Sequence, residues 1–147
     1  MALQLGMIGL DVRDLRRSIE FYRLLGLDIP EPHPEFPAAL HRMESGVTLV
    51  LAEGFAAKND PDWVRPERGY QQFLEFFVGD DASVDEQWRT LTEAGYHGRM
   101  APAKTTGPYA AMIDDPDGNV ILISSDAAAD PTATKPGLGA GSEVTAG

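Results

Sequence analysis

Glu75 is the side chain of this sequence whose surroundings point most directly to chemistry. It stands between Phe73 and Phe77 on one parity of a strand-like run, Gln72 to Val78. A carboxylate flanked by phenyl rings on one face must be paired, protonated or open to a cavity mouth. Held away from water, such a group is a candidate general base. The other chemically capable residues are scattered. His33 lies in a Pro-rich stretch, His41 on an expected strand and His97 just past an expected helix. With no cysteine there is no thiolate ligand, no Cys nucleophile and no disulfide framework. The serines have no adjacent histidine and no nucleophile-elbow motif, so a triad is unsupported. Gly137-Leu138-Gly139-Ala140-Gly141 follows no strand and reads as linker, not as a dinucleotide fingerprint.

The elements that must position these groups follow from periodicity. Leu3 to Val12 alternates as a strand, with Ile8, Leu10 and Val12 on one side and Met7, Gly9 and Asp11 on the other. Asp14 can cap a helix whose Leu15, Ile19 and Tyr22 share one face, and Gly26 can end it. Strands are expected at about 38–44 and 47–53, joined at Ser45-Gly46. Residues 54–71 read as a linker, although Trp63 and Tyr70 are unusual in a passive one. The order then restarts with the strand 72–78. A helix follows with Ser83 and Glu86 at capping-box spacing, Val84, Trp88 and Leu91 on one face and Gly95 as its stop. A short strand near 97–101 precedes strands Tyr109–Asp114 and Val120–Ser124, joined by Asp115-Pro116-Asp117-Gly118-Asn119. Residues 126–147 are rich in Ala, Gly, Pro and Thr and read as a disordered tail. The chain thus contains two modules, 1–53 and 72–125, each running strand, helix and about three strands, which indicates an α+β fold.

Composition narrows the function. The 147 residues carry 12 basic and 23 acidic side chains, a net charge of −11. Residues 3–53 contribute −3 and residues 72–126 contribute −7, so the acidity is concentrated in the second module. Non-specific nucleic-acid binding needs a basic surface and is not expected. No apolar run approaches the about 20 residues of a membrane span, and the N-terminus has no signal-peptide pattern. A cytoplasmic protein is the expectation. Acidity of this size keeps a protein soluble and also attracts cationic small molecules.

The stretch from Asp11-Val12-Arg13-Asp14-Leu15 through Ser18-Ile19-Glu20-Phe21-Tyr22 to Leu25-Gly26-Leu27 resembles the opening of the vicinal oxygen chelate superfamily. That superfamily contains glyoxalase I, the extradiol dioxygenases, the fosfomycin resistance enzymes and the bleomycin resistance proteins. Asp115-Pro116-Asp117-Gly118-Asn119 before a terminal strand is its second hallmark, and the resemblance covers about residues 3–125. It implies two βαβββ modules forming a cupped mixed sheet around a ligand cavity, commonly in a homodimer. Catalytic members hold a divalent metal through His, Gln and Glu side chains. The matching positions here are Met7, Phe73 and Leu122, none of which can ligate such a cation. No metal and no other cofactor is therefore expected.

The residues expected to line the cavity are Met7, Asp11, Phe73, Glu75, Phe77 and Leu122, with Trp63, Tyr70 and Tyr109 at its rim, Glu53 at a strand end and Met112 of undecided parity. An apolar, aromatic pocket with a few carboxylates suits a flat cationic organic molecule. The leading expectation is a metal-free binding protein, similar to the bleomycin resistance branch, that sequesters a cationic or aromatic ligand such as an antibiotic. The alternative is a lyase, isomerase or dioxygenase-like enzyme with a non-standard or absent metal site and Glu75 as base. A third is a degenerate domain whose Met7, Phe73 and Leu122 fill a collapsed core.

Overall fold

A computed structural model of the chain describes residues 2–32, 34–67, 69–70 and 72–125. The expected disordered tail and His33 lie outside the described residues. The chain divides into two compact units, Met1–Gly69 and Tyr70 onward.

In the first unit, β1 (Met7–Val12) leads into α1 (Leu15–Leu25), followed by β2 (Ala38–Arg42), β3 (Thr48–Glu53) and α2 (Phe55–Asn59). The sheet order is β1-β3-β2, with β1 parallel and β2 antiparallel to the central β3. The two strands expected at about 38–44 and 47–53 follow α1, and a third strand of a βαβββ order is not among the described residues of this unit. Asp14 caps α1 by accepting from the Arg17 N–H at 3.2 Å. At its other end Gly26 takes the left-handed conformation, φ 119°, and its N–H bonds back to the last turn. Leu15, Ile19, Phe21, Tyr22 and Leu25 of α1 are buried, as are Leu10, Val12, Leu49 and Leu51 of the sheet. The rings of Phe21 and Tyr22 meet edge to face, centroids 5.0 Å apart. Full burial of each such side chain contributes about 1.5–3 kcal/mol. The core therefore lies on the helix side of the sheet, and Met7, Gly9 and Asp11 stand on the other, open side.

In the second unit, β4 (Phe73–Phe77) precedes α3 (Asp81–Glu93), β5 (Gly98–Lys104), β6 (Tyr109–Asp114) and β7 (Val120–Ser124). The sheet order is β4-β7-β6-β5, with β4 parallel to β7 and the rest antiparallel. All three strands expected after the helix are present, and β5 runs beyond the expected 97–101 with an irregular register against β6. The capping box expected at Ser83 and Glu86 is not the helix start. Asp80 is the cap, accepting from the Ser83 N–H at 2.8 Å, so α3 begins nearly a turn earlier, at Asp81. Val84 and Leu91 are buried against the sheet, whose Ile113, Ile121 and Ile123 are fully buried. Both units are thus mixed α+β layers, the architecture expected of βαβββ modules. Among the described residues no helix is long and apolar enough to cross a membrane.

Candidate functional site

Each sheet has a helix-covered face and an open one, and register decides which side chains share the open one. In the second unit, Glu75 pairs with Leu122, Leu122 with Met112 and Met112 with Met100, forming one row across β4, β7, β6 and β5. Phe73 pairs with Val120, and Phe77 with Ser124, so both phenylalanines flank that row on the same face. Phe73 and Phe77 are 53% and 40% exposed, large values for strand phenylalanines. Leu122, Met112 and Met100 are half-buried, and Glu75 is exposed. Ser124, fully buried, donates its Oγ–H to Glu75 Oε2 at 2.8 Å. The open face is therefore an apolar platform with one carboxylate fixed on it by a buried hydroxyl.

One end of this platform carries a closed ion pair. Asp114 stands on the open face opposite Val120. Its two oxygens accept from Arg99 Nε at 2.7 Å and Nη2 at 2.8 Å, a bidentate fork. The Arg99 guanidinium also lies 5.3 Å from the ring centroid of Tyr70. The Asp114 hydrogen bond raises the pKa of Arg99 above its ordinary value.

The open face of the first sheet shows the same chemistry. Asp11 accepts from Arg65 Nη2 at 2.9 Å and from the Ala56 N–H at 2.6 Å. Arg65 in turn lies 4.9 Å over the Trp63 ring. Part of the segment read as a linker, in which Trp63 already argued against a purely passive role, is thus folded into α2 and tied to β1. Gly54 gives α2 no side-chain cap, and Asp11 supplies the missing acceptor. Replacing Asp11 by Asn is expected to loosen residues 55–65, by about 1–2 kcal/mol of local opening free energy. Amide hydrogen exchange confined to that segment is the check, and unchanged protection there would show that Asp11 does not hold it.

Two of the expected cavity residues stand elsewhere. Glu53 shares the helix-side parity of Leu49 and Leu51, and its Oε2 accepts from the Leu15 N–H at 2.8 Å, supporting the start of α1. Tyr109 shares the parity of the buried Ala111 and Ile113, and donates its hydroxyl to Asp85 of α3 at 2.6 Å. That bond, with desolvation and the negative charges of Asp85 and Asp81, raises the Tyr109 pKa above its ordinary value. Neither is part of the Glu75 row. Met112, of undecided parity in the sequence, belongs to it. Nothing local in the sequence singles out Arg65 and Arg99. Their carboxylate partners are 54 and 15 residues away, and no short-range pattern marks such pairs.

Met7, Phe73 and Leu122, the positions where the resemblance puts metal ligands, all lie on open sheet faces and offer a thioether, a phenyl ring and an isobutyl group. Met7 and Phe73 are 58% and 53% exposed. Among the described residues no group of three or more His, Asp or Glu side chains could hold a metal ion. His41 is occupied elsewhere, with Nδ1 3.0 Å from the Asp28 carbonyl. This donor set does not fit a divalent cation held in the superfamily's usual way.

Comparison with known proteins agrees with this architecture. Solved structures of similar fold include a hypothetical protein from S. aureus, 24% identical with a TM-score of 0.73 over 86% of this chain and 95% of the other. A glyoxalase-related enzyme from Fulvimarina pelagi is 22% identical, TM-score 0.70, over 84% of this chain and 88% of the other. A genomically encoded fosfomycin resistance protein from Listeria monocytogenes is 17% identical, TM-score 0.65, over 86% and 94%. No curated protein matches the chain. The family model of the Glyoxalase/Bleomycin resistance protein/Dioxygenase superfamily matches residues 4–123. Two α+β units with open sheet faces and this match over most of the sequence lead to one conclusion: the chain belongs to the Glyoxalase/Bleomycin resistance protein/Dioxygenase superfamily.

Proposed function

We propose that this chain is a small-molecule-binding protein of the glyoxalase/bleomycin resistance type. It takes a cationic or aromatic organic ligand, such as an antibiotic, and does so without a metal. The observation that carries this reading is the apolar platform of Phe73, Phe77, Leu122, Met112 and Met100 around Glu75, with apolar side chains at the superfamily's metal-ligand positions. Apolar area with one placed polar group is the composition of a small-molecule site, and binding alone can protect a drug's target. The protein would work in the cytoplasm as a homodimer. Calorimetric titration with cationic aromatic compounds tests this. Binding tighter than about 1 mM, roughly −4 kcal/mol, supports it, and its absence across such compounds overturns it.

The Ser124–Glu75 hydrogen bond favours a second reading, an enzyme in which the fixed carboxylate is a base. For a metal-independent lyase or isomerase, Glu75→Gln with turnover of an identified substrate intact would remove the proposed base; for the variant with a displaced metal site, elemental analysis of protein purified without chelators is the test. Stoichiometric Mn, Fe, Ni or Zn would favour an enzyme with a non-standard metal site over metal-free binding.

A further inference from the structure

We infer, building on the proposed binding role of the second sheet's open face, that its ligand is an organic monocation: an apolar body bearing one ammonium-type group that seats on Glu75. Three strand carboxylates stand on open faces, namely Asp11, Glu75 and Asp114. The chain itself neutralises two of them. Arg65 pairs with Asp11 and Arg99 with Asp114, at 2.9 and 2.7 Å. Each guanidinium also covers an aromatic ring, Trp63 or Tyr70. On the second sheet the carboxylate and π-face that would recognise a second positive charge, Asp114 and Tyr70, are therefore already filled from within, and the first sheet shows the same pairing at Asp11.

Glu75 is different. Among the described residues it has no cationic partner, and the bond it accepts comes from the buried hydroxyl of Ser124. That hydroxyl holds one carboxylate oxygen in place, which reduces the ordering needed when a ligand arrives. Phe73 and Phe77 on one strand and Leu122 and Met112 beside it supply the surface for the ligand's apolar body.

The charge of the ligand follows from desolvation. A neutral aromatic laid on this platform would strip water from Glu75 and return no partner. An anion would meet both Glu75 and a segment, 72–126, whose net charge is −7. A dication would place its second charge over apolar side chains or against an aspartate already paired. A monocation satisfies the one open carboxylate and leaves nothing unpaired.

Isothermal titration of the full chain with four naphthalene probes tests this: 1-naphthylmethylammonium, 1-naphthalenemethanol, 1-naphthylacetate and 1,5-bis(aminomethyl)naphthalene as the dication. The monocation is expected to bind about fivefold tighter than the alcohol, the gain of a partly screened ion pair. The acetate is expected to be weakest, and the dication no tighter than the monocation. Glu75→Gln removes the monocation's advantage over the alcohol, and Glu75→Asp restores part of it. Equal affinities for monocation and alcohol, an advantage that survives Glu75→Gln, or a dication several-fold tighter than the monocation would each overturn the inference while leaving small-molecule binding at this face intact. If no probe binds tighter than about 1 mM, the proposed binding role fails as well. A dimer that light scattering sees dissociate on Phe73→Ser, in a protein that takes no probe, would assign the face to a second copy and overturn both.

Discussion

Replacing Asp115 by alanine is expected to lower the stability of the folded chain by about 2–4 kcal/mol, whereas asparagine at the same position costs about 1 kcal/mol. Asp115 opens the turn between β6 and β7 and is 4% exposed. Its Oδ1 accepts from the N–H groups of Asp117 and Asn119 at 2.9 and 2.8 Å, and its Oδ2 from the Asn119 side-chain amide at 2.8 Å. The carboxylate therefore gathers the donors of the turn that the chain reversal leaves without strand partners. Gly118, at φ 86°, completes the reversal. Alanine removes every one of these acceptors. Asparagine keeps one acceptor oxygen for the two backbone N–H groups, and the Asn119 amide can turn its oxygen toward the new donor. Because β7 lies between β4 and β6, a loosened turn disturbs the strand that carries Leu122 and Ser124. Urea unfolding should show a lower midpoint with an unchanged slope, in the order wild type, Asn, Ala. Equal loss in the two variants would mean that charge, not acceptor geometry, holds the turn.

Gly98→Ala is expected to destabilise by about 1–3 kcal/mol, and most of that loss should vanish in a Trp88→Leu background. A Cβ at Gly98 would overlap the Trp88 indole: Cη2 is nearest, with Cζ3 at 2.8 Å and Cζ2 at 2.9 Å. The indole of α3 lies directly on the backbone of β5 at this point, which is why glycine is needed here: close approach, not backbone conformation. The neighbouring Arg99 and Met100 belong to the open face, so a displaced Gly98 moves both the Asp114 clamp and one end of the Glu75 row. A double-mutant cycle by urea unfolding measures the effect. A coupling near zero would show that the indole shifts aside at no cost.

Much of each sheet's open face is legible in alternation alone. Met7, Gly9 and Asp11 separate from Leu10 and Val12 because successive strand side chains point to opposite faces, and only one face of each sheet is covered by a helix. The same rule groups Phe73, Glu75 and Phe77 on one side of β4. Tyr109 and Glu53 suit a ligand pocket by side-chain chemistry, but their parity places them on the covered faces. Both side chains turn toward a helix, where Asp85 accepts a hydrogen bond from one and the Leu15 N–H donates to the other. The capping box at Ser83 and Glu86 is a competing local pattern. Asp80 prevails because its extended backbone places a carboxylate over the first free N–H groups of α3. The segment after β3 resembles a linker because α2 is only five residues long and gains its cap from Asp11, 45 positions away.

The order of elements outside residues 54–71, the alternation along most strands, the turn at Asp115 and the superfamily resemblance all follow from the residues alone, since they rest on local sequence patterns. So does the lack of a hard ligand at Met7, Phe73 and Leu122. Which carboxylates remain open is decided only in three dimensions. Asp11, Glu75 and Asp114 are equally acidic as residue types. Pairing with Arg65 and Arg99 depends on strand register and chain return over tens of residues, and among the described residues it leaves Glu75, held by Ser124, as the open-face carboxylate without a cation.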